Sequence, residues 1–223
     1  AIVHFTFSIA QSKVIRIGGL FTNALVDPLE SGIDEVRAAG LAVQAINNDT
    51  SLLPNHTVRL IPRDDLGSGW GGLRALCNLT REGIHGIIGP GGSSVSTVVG
   101  KACSAKHLPA ISYSATSATL SDRGNFPFFS RVVAPDTMQA SAMLAAVKHF
   151  EWNKICILHR DDDYGIQGAL ATSDAAKAQG VDVLVIKSFS HKTENATRVV
   201  TEAVRSGCRI FVLWCIWCEK AMH

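Results

Sequence analysis

The sequence predicts a two-lobed α/β protein in which each lobe is a doubly wound, mostly parallel sheet. Three observations carry this. Strand-like apolar runs alternate with segments of helical apolar spacing along most of the 223 residues, the order that builds a parallel sheet covered on both faces. The alternation breaks once, between Phe126 and Asp136, where FPFFSRVVAPD holds two prolines and no clean helical pattern, and then restarts. Turns rich in glycine and serine follow several predicted strands, the place where open α/β sheets bind ligands.

Taken in order, Lys13–Thr22 (KVIRIGGLFT) is a β-rich strand, and Gly32–Asn47 follows with Ile33, Val36, Leu41, Val43 and Ile46 at helical spacing. Thr57–Asp64 is a second strand, Gly71–Glu82 a helix, and His85–Ile88 a short buried strand. Ser93–Lys106 is helical and Pro109–Ser114 (PAISYS) returns to strand. After the break come a helix over Thr137–Phe150, a strand at Lys154–Leu158 and a helix over Ile166–Gln179. A strand at Val181–Ile186, a helix over Glu194–Ser206 and a strand at Arg209–Cys215 complete the series. The expected division is an N-terminal segment at 1–13, lobe 1 at 14–131, a hinge at 132–136 and lobe 2 at 137–223. Lobe 2 reads as truncated, because RIFVLWCIWCEKAMH stops where a covering helix is due.

Composition narrows the function. Hydrophobic residues make up 47% and charged residues 18%, the balance of a packed globular protein. A net charge of +2 with scattered Lys and Arg argues against a nucleic-acid partner. No apolar run reaches the roughly 18 residues of a membrane span. The opening AIVHFTFSIAQS reads either as the tail of a secretory signal peptide or as a short edge strand. Four Asn-X-Ser/Thr sequons, at Asn48, Asn55, Asn78 and Asn195, are candidate N-glycosylation sites and favour the secretory route. The six cysteines permit disulfides without dictating them.

The turn GPGGSSVSTVVG at 89–100 holds the first candidate site. It lacks the Lys of a phosphate-binding loop, and Ser94 stands where the dinucleotide pattern needs its third glycine. A nucleophile elbow, G-x-S-x-G, is absent here. Cys215-Ile216-Trp217-Cys218 has CxxC spacing without a second pair. Neither cofactor, metal nor catalytic set is predicted. What remains is a neutral anion site: Ser93 and Ser94 open a helix, where unpaired N–H groups and the positive dipole end attract a carboxylate. The alternative for Ser93 is a simple N-cap. A ligand carboxylate is commonly accompanied by an ammonium. Asp136 at the crossover, the Thr116 hydroxyl and the Ala115 carbonyl are suited to that end, with Tyr164 covering it. Asp136 alone also reads as a helix N-cap.

GPGGSSVS, PAISYSATSATLSD and FFSRVVAPDTMQASAMLAAVKHFEWNKICILHRDDDYG resemble the extracellular ligand-binding domain of class C G-protein-coupled receptors. The likeness is to metabotropic glutamate receptors, within the periplasmic-binding-protein-like type I fold. The resemblance implies that Ser94, Ser114, Ala115 and Thr116 hold an α-carboxylate, and that Thr116, Asp136, Tyr164 and the Ala115 carbonyl address an α-ammonium. It further implies lobe closure on a glutamate-like amino acid, a homodimer face on the lobe 1 helices, and a place outside the plasma membrane. Any membrane attachment would come through downstream segments. The segment DDLGSGWGGLRALC lacks a cysteine expected soon after its aspartates, so side-chain specificity is not implied. Free solute-binding protein and small-metabolite α/β enzyme are the alternatives. Finally, a sheet of order 2-1-3-4 puts the second and third helices on one face, so Cys77 and Cys103 form either a disulfide or two free thiols.

Overall fold

Strand β1 (Lys13–Phe21) becomes more buried along its length, from exposed Lys13 and Val14 to Leu20 and Phe21 at 0% and 1% exposure. It is the inner strand on which lobe 1 is assembled. The computed structural model describes residues 13–22, 32–190 and 196–215. Helix α1 (Gly32–Asn48) leads to β2 (His56–Asp64), which pairs with β1 in parallel, residue for residue from Lys13↔His56 to Phe21↔Asp64. Helix α2 (Gly69–Arg81), β3 (Gly86–Ile88), α3 (Ser93–Ala105) and β4 (Ala110–Ser112) follow. A 3-10 turn at Ala118–Ser121 precedes β5 (Phe129–Arg131). The parallel sheet runs β2-β1-β3-β4-β5. Strand β5 adds to the predicted series: with three residues it is too short to show any periodicity. Its Phe129 joins Leu20, Leu76, Leu79, Val99 and Phe126 in the lobe 1 core.

Past β5 the chain enters α4 (Asp136–His149), β6 (Lys154–Arg160), α5 (Asp163–Gln179), β7 (Asp182–Phe189), α6 (Ala196–Arg205) and β8 (Phe211–Trp214). These form a second parallel sheet of order β7-β6-β8. Ile155, Cys156, Ile157 and Leu158 on β6 are all at most 2% exposed, as a central strand covered on both faces requires. Ile155 and Ile157 pack with Leu144, Ala176 and Trp214 beneath α4 and α5. Leu158 packs with Phe189, Val199 and Ala203 on the α6 side. Each such aliphatic side chain contributes about 1.5–3 kcal/mol relative to exposure. Two α/β units therefore form, each around its own sheet.

The structure decides between the two alternatives for the lobe 1 cysteines. Cys77 and Cys103 are both free. Their helices do pack together, but Cys77 lies on the exposed side of α2 while Cys103 faces the core at 0% exposure. Burial pushes the Cys103 thiol up to about 12. The disulfide forms instead between Cys156 on β6 and Cys208 just before β8, with Cα atoms 6.1 Å apart. Those strands are neighbours, so the bridge ties lobe 2 across its own sheet. Cys215 is also disulfide-bonded, and Cys218 lies outside the described residues, as do Asn195 and most of the N-terminal segment. Asn48, Asn55 and Asn78 are exposed.

Candidate functional site

Two loops at the carboxyl end of the lobe 1 sheet build the first half of the site. Gly89, with φ +90°, ends β3, and a Cβ there would lie 2.2 Å from the Leu20 carbonyl oxygen. Only glycine lets the chain turn so close to β1. The loop after it is then stitched to the loop after β4. Ser112 Oγ donates to Pro90 O at 2.6 Å, and Ser96 Oγ donates to the same carbonyl at 2.9 Å. Ser114 Oγ donates to Gly91 O at 3.0 Å. Ser117 N donates to Ser93 Oγ at 3.1 Å.

These bonds revise the role expected of Ser93. At 4% exposure its hydroxyl supports the neighbouring loop rather than facing a ligand. Nor does Ser93 cap its helix: the cap is Gly92, with no side-chain hydrogen bond. The N-terminus of α3 is therefore uncapped by any side chain, and its first N–H groups are orphan donors carrying the positive end of the helix dipole. Half-buried Ser94 sits in that first turn and exposed Ser114 in the facing loop. Ala115 is fully buried, and its carbonyl accepts from Arg131 Nη1 at 3.3 Å.

The second half is acidic. Asp136 N donates to Thr116 O at 2.9 Å, which fixes the start of α4 against the lobe 1 loop. Asp136 is not the helix cap, a position held by Pro135. Its carboxylate is 0% exposed, and neither oxygen makes a hydrogen bond of good geometry. Burial raises its pKa above the usual carboxylate value; the Thr116 hydroxyl and the Arg131 guanidinium counter this, and Asp163 adds to it. A buried carboxylate with no hydrogen-bond partner is costly unless a cation joins it.

Tyr164, in the first turn of α5, is half-buried and meets Trp214 edge to face at 5.6 Å between ring centroids. Desolvation, then Asp136 and Asp162, raise its pKa, so the same carboxylate acts on the phenol through space. The turn before it is tight: a Cβ on Gly165 would stand 2.3 Å from the Arg160 carbonyl oxygen. Within the acidic run that opens α5, Asp162 caps the helix by accepting from Gly165 N at 2.9 Å and pairs with Arg160 at 2.7 Å.

The structure thus brings Thr116, Asp136 and Tyr164 together, and draws the Ser94 and Ser114 loops against each other. Asp163 was not among the predicted site residues; in the structure its carboxylate accepts from Thr97 Oγ1 and Thr119 Oγ1. A separate hollow of about 370 Å³, lined by Ser173, Lys177, Gly180, Val181, Asp182 and Val183, lies at the amino end of β7. It shares no residue with the site and gathers no buried, unpaired charge.

Comparison with known proteins places the chain among receptor ligand-binding regions. The profile described as "Receptor family ligand binding region" matches residues 35–222. Metabotropic glutamate receptor 4 of Rattus norvegicus is 34% identical over 176 residues, covering 68% of this chain and 19% of that protein. Taste receptor type 1 member 3 of Mus musculus is 32% identical over 167 residues, covering 67% and 20%. The chain spans about a fifth of the length of these curated relatives.

Proposed function

The chain belongs to the receptor family ligand binding region, and on that premise we propose that it grips an α-amino acid between its lobes and signals by closing on it. One observation carries the reading: a fully buried carboxylate, Asp136, neither of whose oxygens makes a hydrogen bond of good geometry. It follows directly on the crossover from a lobe that also holds a helix N-terminus with no side-chain cap. A zwitterion answers both needs. Its carboxylate takes the Ser94 hydroxyl, the Ser114 loop and the first N–H groups of α3. Its ammonium takes Asp136, the Thr116 hydroxyl and the ring face of Tyr164.

Residues 132–136 serve as the hinge between lobe 1 and lobe 2. Contact with both lobes favours the closed arrangement by the ligand's differential affinity for it. In the full protein this event would face the extracellular side of the plasma membrane. From there it would pass through a partner copy, and then through downstream segments, to a G protein.

Calorimetry against the common amino acids, each with its N-acetyl and carboxamide derivative, tests the reading. The free amino acid is expected to bind and both blocked forms to lose at least tenfold in affinity. Equal binding of a blocked form would remove the assignment of that end.

A further inference from the structure

Asp163 lies in lobe 2 at the first turn of α5, yet both hydrogen bonds resolved for its carboxylate come from lobe 1. Thr97 Oγ1, on α3, donates to Asp163 Oδ2 at 3.0 Å. Thr119 Oγ1, in the 3-10 turn, donates to Asp163 Oδ1 at 3.5 Å. Each oxygen therefore engages a different element of the opposite lobe. The surrounding chain positions both donors. Thr97 lies one helical turn beyond Ser93, whose carbonyl stands 3.0 Å from the same hydroxyl and shares its single proton with Asp163. Thr119 follows Ser117, whose N–H is held by the Ser93 hydroxyl and whose own side chain accepts from Thr119 N. On the other side, Asp162 caps α5, so the capping duty is already met and Asp163 is left to face lobe 1.

The geometry points to Asp163 as an interlobe clasp: a positioning residue that holds α5 against α3 and the 3-10 turn before any ligand arrives, and so carries Tyr164 over Asp136. This goes beyond the proposed amino-acid site, on whose lobe closure it rests. Its energetic meaning follows from population arithmetic. If only a fraction of molecules is closed, apparent affinity falls by that fraction, so a contact that favours closure strengthens binding without touching the ligand. The charge on Asp163 makes these hydrogen bonds stronger than neutral ones, and they are lost together when the lobes part. Asp163 also adds negative charge near Asp136, so the same clasp makes the closed, empty site more demanding of a cation.

The test uses energy transfer between a dye on Cys77, exposed and free in lobe 1, and one on a cysteine introduced at exposed Ala178 in lobe 2. Cys103 is buried and escapes labelling. With no amino acid present, Asp163→Ala is expected to lower transfer. Thr97→Val, an isosteric change in the other lobe, should do the same while leaving the circular dichroism and melting temperature of the protein unchanged. The double variant should go no further than Asp163→Ala, and Asp163→Asn, which keeps one acceptor, should fall between. With a mixture of the twenty common amino acids as probe, Asp163→Ala and Thr97→Val should each weaken the response about tenfold in half-saturating concentration. Transfer equal to the parent protein in Thr97→Val, or losses that add in the double variant, would overturn the clasp. A parent protein that ignores every amino acid would overturn the ligand reading instead, while the ligand-free measurements still decide on Asp163.

Discussion

Lobe 1 and lobe 2 solve the problem of holding a loop in place by opposite means. In lobe 1 the site loops after β3 and β4 are bound to each other through Ser93, Ser96, Ser112 and Ser114. All are neutral groups, and the two cysteines of that lobe are free. In lobe 2 the sheet has three described strands and is fastened by the Cys156–Cys208 bridge, while the carboxylate that opens α4, Asp136, is buried without a hydrogen bond of good geometry. A neutral hydrogen-bonded scaffold can sit finished and empty. A buried charge cannot be stabilising until its counter-ion comes. The comparison teaches that one side of the candidate site is held by neutral hydrogen bonds and the other carries a buried charge. On the proposed reading these are the ends that take the carboxylate and the ammonium.

The largest expected effect breaks the covalent side of this contrast. The bridge spans a sequence separation of 52, for which loop-closure entropy gives roughly 4 kcal/mol. Cys208→Ser should lower stability by about that amount in urea unfolding. A loss below about 1 kcal/mol would mean that packing alone holds β6 to β8.

Next comes the charge. Asp136→Asn should weaken amino-acid binding about a hundredfold, since truncating one side of a buried charge pair costs about 2–5 kcal/mol. In the absence of ligand the same variant should melt a few degrees higher, because an uncompensated buried charge is gone. Binding within threefold of the parent in calorimetry would place the ammonium elsewhere.

Smaller still, Ser94→Ala or Thr116→Ala should cost at least tenfold in affinity, about 1.4 kcal/mol, with little change in melting temperature. Neither hydroxyl carries one of the loop-to-loop bonds. By contrast, Ser112→Ala should lower the melting temperature, since its hydroxyl serves Pro90 O and Ala115 N. A reversed pattern would exchange the scaffold and site roles assigned to these residues.

The finest expected difference is in pH dependence. The Asp136 pKa is raised by burial, so the folded state binds this proton more tightly than the unfolded chain, where the value is about 3.9. Its penalty is absent below the unfolded value, grows as pH rises towards the folded one, and is complete above it. The stability advantage of Asp136→Asn should therefore be present at pH 7 and vanish near pH 4. Ligand affinity of the parent protein should fall as pH drops through the raised value, because a neutral carboxyl holds an ammonium poorly. An advantage independent of pH would show that the asparagine acts by packing.

Several of these groups could be named in advance, and others could not. Thr116, Asp136 and Tyr164 stand at strand ends and crossovers, where periodicity and turn residues fall into view, so their convergence follows once strand order is known. Ser93 was legible only as the start of a helix. That its hydroxyl serves Ser117, 24 residues on, depends on how two loops meet. Strand β5 was hidden because three residues hold less than two periods of alternation. Asp163 was hidden because three aspartates in a row look alike until α5 is placed: one is exposed, one caps, and one reaches Thr97, 66 residues away.

The order of strands and helices, the division into two sheets and the positions of the site loops were determined by sequence alone, because apolar spacing and turn chemistry act over a few residues. The tertiary structure decided which cysteines meet, which serine supports rather than binds, and which aspartate crosses between lobes. Those outcomes depend on the direction of a side chain relative to a distant element, and β6 beside β8 or α5 beside α3 is a relation that no local pattern contains.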